Sequence, residues 1–209
     1  MAYSEFELAD MTAKLGVTVA DHPDLFAGVP SAALSPSVDG LLRLYLPLAI
    51  ANSTEKARSE LLIAPVLADA REQLGRQVSL FSGWDFPVDK AKGLAGVCDY
   101  ILCRSPQQEF ITTPVAVIVE AKNENIKGGL GQCGAEMIAA RLFNERTGLG
   151  AEPILGCVTS GTVWRFLRLR GAELLIDQKE YYLATQPDRV MGILVAVLRD
   201  PAATSGKAA

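Results

Sequence analysis

Two apolar runs of strand length stand near the middle of the chain, Gly96-Val-Cys-Asp-Tyr-Ile-Leu102 and Val115-Ala-Val-Ile-Val-Glu-Ala-Lys122. Both carry β-branched or aromatic residues and are bounded by Gly, Pro and polar positions, which predicts buried strands. Pro153 to Thr159 reads as another apolar strand. Val163-Trp-Arg-Phe-Leu-Arg-Leu169 alternates so that Trp164, Phe166 and Arg168 share a face, and Leu174 to Leu183 continues that meander. Val78 to Ser82 and Phe86 to Val88 read as a strand and its turn.

The helical period appears elsewhere. Phe6 to Leu15 predicts a short amphipathic helix, and Asp21 to Ser37 a Pro-punctuated loop. Val38 to Ile50 predicts a helix disturbed by Pro47. Glu55 to Leu74 predicts another, kinked by Pro65 about one turn past Glu60, because proline removes a backbone donor. A helix is expected from the Gly128-Gly-Leu-Gly131 run to Arg146, and a last one over Arg189 to Arg199. The segment from Val115 to Thr159 is thus a strand–helix–strand crossover, for which parallel, right-handed geometry is the strong preference. The pattern predicts an α/β fold: a central mixed β-sheet flanked by helices on both faces. We read one domain over 1–200, with a helical N-terminal extension (1–54), a core (55–185) and a C-terminal helix (186–200). A disordered tail follows at 201–209.

Three ionisable residues interrupt the two central strands. Residues two apart in a strand point the same way, so Glu120 and Lys122 project together, roughly 7 Å apart along the backbone. A hairpin across Arg104 to Pro114 would set Asp99 opposite Glu120, gathering two carboxylates and an ammonium into one patch at the edge of the sheet. Two bare carboxylates about 4 Å apart repel by roughly 4 kcal/mol at an effective dielectric near 20. A lysine offsets part of that, and a divalent cation more. Hard oxygen ligands with few protein contacts suit Mg²⁺, and Mn²⁺ can substitute for it. The chemistry that follows is metal-assisted hydrolysis of a phosphodiester.

An acid-x-Lys triplet alone is weak evidence, since about one is expected by chance in a chain with 24 acidic residues. A second copy, Asp177-Gln-Lys179, stands in no such context and reads as a decoy. The Glu120 copy belongs to a longer series: Glu60 on a helical segment, Asp99 on a strand, Glu120-Ala-Lys122 on the next strand, then Gln132 opening another helix. This order resembles the PD-(D/E)xK nuclease superfamily over roughly Glu55 to Leu169, although Val97-Cys98 stands where the name-giving proline would precede Asp99.

The resemblance implies a restriction-endonuclease-like core and a Mg²⁺-dependent deoxyribonuclease. The metal would be held by Asp99, Glu120 and the Ala121 carbonyl, with Glu60 holding a water of the metal shell or helping a second metal. Lys122 would orient or deprotonate the attacking water and steady charge on the phosphate. Gln132, with Glu136 one turn later on the same face, would fix the Lys122 side or contact nucleic acid. The implied partner is DNA rather than RNA. A homodimer is expected where both strands of a duplex are cut. The alternative is a non-catalytic nucleic-acid or protein binding module that keeps the fold.

Composition changes this picture little. Nearly half the residues are apolar and a fifth charged, which is globular rather than disordered. The apolar stretches are too short to span a bilayer and the acidic N-terminus lacks a signal-peptide pattern, so a cytoplasmic protein without membrane contact is expected. The net charge of −4 argues against a strong sequence-independent DNA binder. Local basic sets exist at Lys90 and Lys92, in what reads as a mobile loop, at Lys127, and at Arg165, Arg168 and Arg170. Cys98, Cys103, Cys133 and Cys157 lack metal-ligand spacing and read as buried free thiols, and His22 sits in a turn. The Gly128 to Gly131 run lacks a P-loop ending and reads as a flexible hinge beside the site.

Overall fold

The computed structural model describes residues 2–148 and 152–199. The tail expected at 201–209, and position 200 of the C-terminal helix, lie outside the described residues. In chain order the elements are α1 (Leu8–Ala13), β1 (Thr18–His22), α2 (Pro36–Asn52) and α3 (Glu55–Arg58), then a π-turn (Ser59–Ile63), α4 (Ala64–Gln73), β2 (Ser79–Asp85) and β3 (Val97–Cys103). There follow β4 (Val115–Ala121), α5 (Ile126–Glu145), β5 (Ile154–Thr159), β6 (Val163–Arg170), β7 (Glu173–Asp177), β8 (Tyr181–Tyr182) and α6 (Pro187–Arg199).

The strands form one mixed eight-stranded sheet in the order β1-β7-β6-β5-β4-β3-β2, with β8 beside the first residues of β6. β4 pairs with β5 in parallel through α5, and β1 with β7 in parallel; the other pairings are antiparallel. Helices cover both faces. On one, α5 lies against β4 and β5, with α1 packed beside it. On the other, α2, α4 and α6 enclose a second apolar layer with Phe166, Trp164 and Leu102.

A strand covered on both faces can be apolar at every position. All seven residues of β4 are buried, and so are all six of β5. The buried Asn144 fixes the start of β4 to the end of α5: the Val115 amide donates to its Oδ1 at 2.8 Å, and its Nδ2 donates to the Val115 carbonyl at 2.9 Å. At the β2 edge, Gln108 occupies the open ladder, accepting from the Leu80 amide (3.2 Å) and donating to its carbonyl (2.6 Å). A side chain there blunts pairing with a foreign strand.

Three local expectations need correction. The expected loop from Asp21 begins inside β1, an edge strand whose five residues stay exposed or half-buried, so no apolar alternation marks it. Pro47 leaves α2 intact to Asn52. Pro65 produces a register change rather than a simple kink: the Ala64 amide donates to the Ser59 carbonyl, five residues back, and proline enters at the start of α4, where its missing donor is not needed. Among the described residues no helix is long and apolar enough to cross a membrane.

Candidate active site

Strand β4 leaves the core through Glu120 and Ala121, and Lys122 continues its direction, its amide donating to the Thr159 carbonyl at 2.8 Å. The β3–β4 register pairs Tyr100 with Val119, so the next position outward faces Asp99 to Glu120. There the backbone ladder gives way to a side chain: the Ala121 amide donates to Asp99 Oδ2 at 2.8 Å. The patch therefore sits at strand ends in the middle of the sheet, not at its lateral edge.

Asp99, Glu120, Lys122 and Gln132 come together as the sequence predicts. Lys122 Nζ donates to Glu120 Oε1 at 2.5 Å and to Gln132 Oε1 at 3.2 Å. Gln132 Nε2 in turn donates to Glu136 Oε1 at 3.1 Å. Glu120 is 1% exposed and Glu136 wholly buried, while the Lys122 side chain keeps 24% of its surface in solvent. Glu120 Oε2 and Glu136 Oε2 are buried and find no hydrogen-bond partner among the described residues.

Burial, then the Asp99 charge, push the Glu120 carboxyl up to about 8, although Lys122 offsets part of the effect. Glu136 is held well above the carboxylate range, chiefly by burial and next by Glu120. Burial pulls the Lys122 ammonium down, but Glu120's charge and hydrogen bond outweigh it and leave Lys122 above its ordinary value. The orphaned Glu120 Oε2 beside Asp99 can be satisfied by a proton shared between the two carboxyls or by a cation bridging them. In that sense the donor set fits a hard cation that keeps most of its waters.

Glu60 does not join the cluster. Its carboxylate is 61% exposed and pairs with Lys56 at 3.0 Å, one turn back on the same helix. It stands on the rim of a pocket of about 300 Å³ whose wall also includes Ser59, Ser82, Asp99, Tyr100 and Ala121. Among the described residues no group of three or more His, Cys, Asp or Glu side chains converges to hold a metal ion. The expected ligand set is thus reduced to two carboxylates, with the Ala121 carbonyl beside them, because Glu60 lies largely in solvent against Lys56.

The glycine run is not a hinge. α5 already begins at Ile126, capped by Asn125, whose Oδ1 accepts from the Gly128 amide at 2.9 Å. A Cβ on Gly129 would lie 2.7 Å from Val158 Cγ1 and 3.1 Å from Lys122 Cγ, and one on Gly131 would strike the backbone of Phe6 and Glu7. The glycines let the helix approach close enough for Gln132 to meet Lys122.

Sequence reasoning missed one contact of this pocket. Tyr100, next to Asp99, shares a 2.6 Å hydrogen bond with Ser59 Oγ and donates to the Ser59 carbonyl at 3.1 Å, tying the π-turn to β3. The only signal was a tyrosine adjacent to the strand aspartate. Around Lys90 and Lys92 the expected mobile loop is a closed turn, with Asp89 and Leu94 exchanging backbone hydrogen bonds at 3.0 and 2.8 Å. The triplet Asp177-Gln-Lys179 is a turn as well: Asp177 accepts from the Lys179 amide (3.0 Å) and the Tyr181 hydroxyl (3.2 Å), and Lys179 pairs with Asp24. All four cysteines are free and buried, and His22 Nδ1 accepts from the Asp24 amide at 3.2 Å. Comparison with family models, curated proteins and solved structures finds no match for this chain.

Proposed function

We propose that this chain is a metal-dependent nuclease of the PD-(D/E)xK kind that hydrolyses phosphodiester bonds in DNA. One observation carries the proposal: a buried carboxylate, Glu120, has an orphaned oxygen beside Asp99, with the Lys122 ammonium 2.5 Å from its other oxygen. Folding alone gives no reason to bury such a group, because an unpaired buried carboxyl is destabilising. Asp99 and Glu120, with the Ala121 carbonyl, would hold Mg²⁺ or Mn²⁺. When bound, the ion supplies charge neutralisation at the phosphate and a more acidic water.

The chain's own groups do the rest. Asp99 is held by the Ala121 amide, so its free oxygen keeps a fixed direction. Lys122 is an ammonium held above its ordinary pKa, which favours stabilising charge on the phosphate over taking a proton from water. Gln132 holds the Lys122 head from the opposite side. Glu60, on the pocket rim, acts on the approach of substrate or of a second cation rather than in the central cluster. Cytoplasmic residence belongs to the same proposal and is supported by four free, buried thiols. A homodimer would supply two sites for cutting both strands.

The alternative is a binding module that retains the fold. Two converging carboxylates, where three were expected, favour that alternative. Labelled single-stranded, duplex and branched DNA incubated with Mg²⁺, Mn²⁺ or EDTA, beside Lys122→Ala, separates the two. Metal-dependent cleavage lost in the variant supports the nuclease. Absence of cleavage on every substrate leaves the binding module.

A further inference from the structure

Glu136 is buried more deeply than a helix needs. It is wholly buried on the face of α5 that packs on the sheet, among Cys98, Cys133 and Tyr3. One of its oxygens has no partner among the described residues. Its neighbours along the inner side of α5, such as Cys133, Ala139 and Ala140, are apolar, so an apolar residue would serve packing better.

The other oxygen has a defined task. Lys122 is a pure donor, so the Gln132 amide must offer it oxygen, as it does at 3.2 Å. The Gln132 nitrogen then needs an acceptor, and Glu136 Oε1 meets it at 3.1 Å from one helical turn away. Remove that acceptor and Gln132 Nε2 loses its hydrogen bond, so that the Lys122 ammonium alone orients the amide among the described residues.

We propose that Glu136 is a positioning residue: from the buried side of α5 it sets the orientation of the Gln132 amide and thereby holds the Lys122 ammonium against Glu120. The kinetic half of this inference rests on the nuclease proposal; the structural half does not. The role asks for an acceptor, not for negative charge, so Glu136→Gln keeps it and Glu136→Leu removes it.

The test uses the full chain, with Glu136→Leu, Glu136→Gln and Gln132→Met. The first readout is NMR exchange of the Gln132 side-chain amide, assigned by its loss in Gln132→Met. That amide should be protected in wild type and Glu136→Gln and unprotected in Glu136→Leu. The second is DNA cleavage. Glu136→Leu should lower kcat by about 10- to 100-fold with KM within about twofold, the scale of a small misplacement of a reacting group. Glu136→Gln should stay within about threefold, and Gln132→Met combined with Glu136→Leu should be no worse than Gln132→Met alone. The third is thermal unfolding, in which Glu136→Leu should melt no lower than wild type. Unchanged amide protection in Glu136→Leu overturns the proposal, as does an equal loss of kcat in Glu136→Gln and Glu136→Leu. If wild type cleaves nothing, the nuclease proposal fails, and the amide measurement alone then decides for or against positioning by Glu136.

Discussion

Replacing Glu120 with Gln should stabilise the metal-free protein at pH 8 and remove much of its pH dependence between 5 and 8. Burial and the neighbouring Asp99 push this carboxyl from its ordinary 4.5 up to about 8. The folded state therefore binds a proton more tightly than the unfolded chain. Stability is full below the unfolded pKa, and it falls as the pH rises from about 4.5 to about 8, because the unfolded chain releases its proton first. At roughly 1.4 kcal/mol for each pH unit, the whole interval is worth about 5 kcal/mol. Relaxation and water entry at the solvent side of Lys122 lower that figure, so a wild-type loss of about 2–5 kcal/mol is expected. Glu136, displaced in the same direction, contributes with the same sign. Urea unfolding in EDTA at pH 5, 6.5 and 8, followed by fluorescence of the buried Trp164, measures the slope. On the nuclease proposal, Mg²⁺ at about 100 times its dissociation constant restores about 2.7 kcal/mol to wild type at pH 8 and little to Glu120→Gln. Parallel pH profiles for the two proteins in EDTA would refute the reasoning, because Glu120 would then titrate alike folded and unfolded.

Three other substitutions probe the frame around the site. Asn144→Ala removes two buried hydrogen bonds to Val115 and leaves both backbone groups unpaired, so chemical denaturation should report a loss of about 2–4 kcal/mol. Gly129→Ala adds a good helix former but drives a methyl against Val158 and the Lys122 stem. Circular dichroism should show a folded protein, and the cleavage assay an activity reduced about tenfold or more. Glu60→Ala breaks only an exposed pair with Lys56, so the unfolding free energy should change by less than about 0.5 kcal/mol, and cleavage should fall less than in Asp99→Asn.

The sequence made the centre of the fold legible because burial on two faces leaves a simple mark. β3, β4 and β5 are apolar runs, and their parallel crossover follows from chirality, so Asp99, Glu120 and Lys122 could be brought together from spacing alone. Gln132 was pointed out by the resemblance, and the helical period then placed Glu136 on the same face. The periphery left no such mark. β1 is held by backbone pairing to β7 and shows no alternation. The glycines of α5 looked like a hinge because glycine weakens an isolated helix; the tight approach of Lys122 and of the Phe6–Glu7 backbone is a tertiary fact. Glu60 was tied to the site by the order of residues along the chain, and that order does not show that its side chain pairs with Lys56 in solvent. The depth of Glu136 was hidden for a related reason: a period gives the face of a residue and not how far inside that face it lies.

On the nuclease proposal, the acidic balance of the chain and a polyanionic substrate would meet at the pocket, and there the two are compatible only through a cation. Glu55, Glu60 and Asp99 line it, with Lys56 as the one cation of its wall among the described residues, and Lys56 is committed to Glu60. Lys122, outside this wall, is engaged by Glu120 and Gln132. A phosphate approaching this wall meets net negative charge at short range, where screening at physiological salt is weak. On the nuclease proposal, the ion that activates water must also make the mouth approachable, so DNA affinity and cleavage should depend on it together. A binding module would have no use for that coupling: without the ion its mouth repels the ligand, and with Lys122 engaged by Glu120 and Gln132 it offers little in exchange. On the nuclease proposal, the acidic mouth that disfavours general binding of DNA is therefore the same arrangement that would act on a phosphodiester when a cation is present.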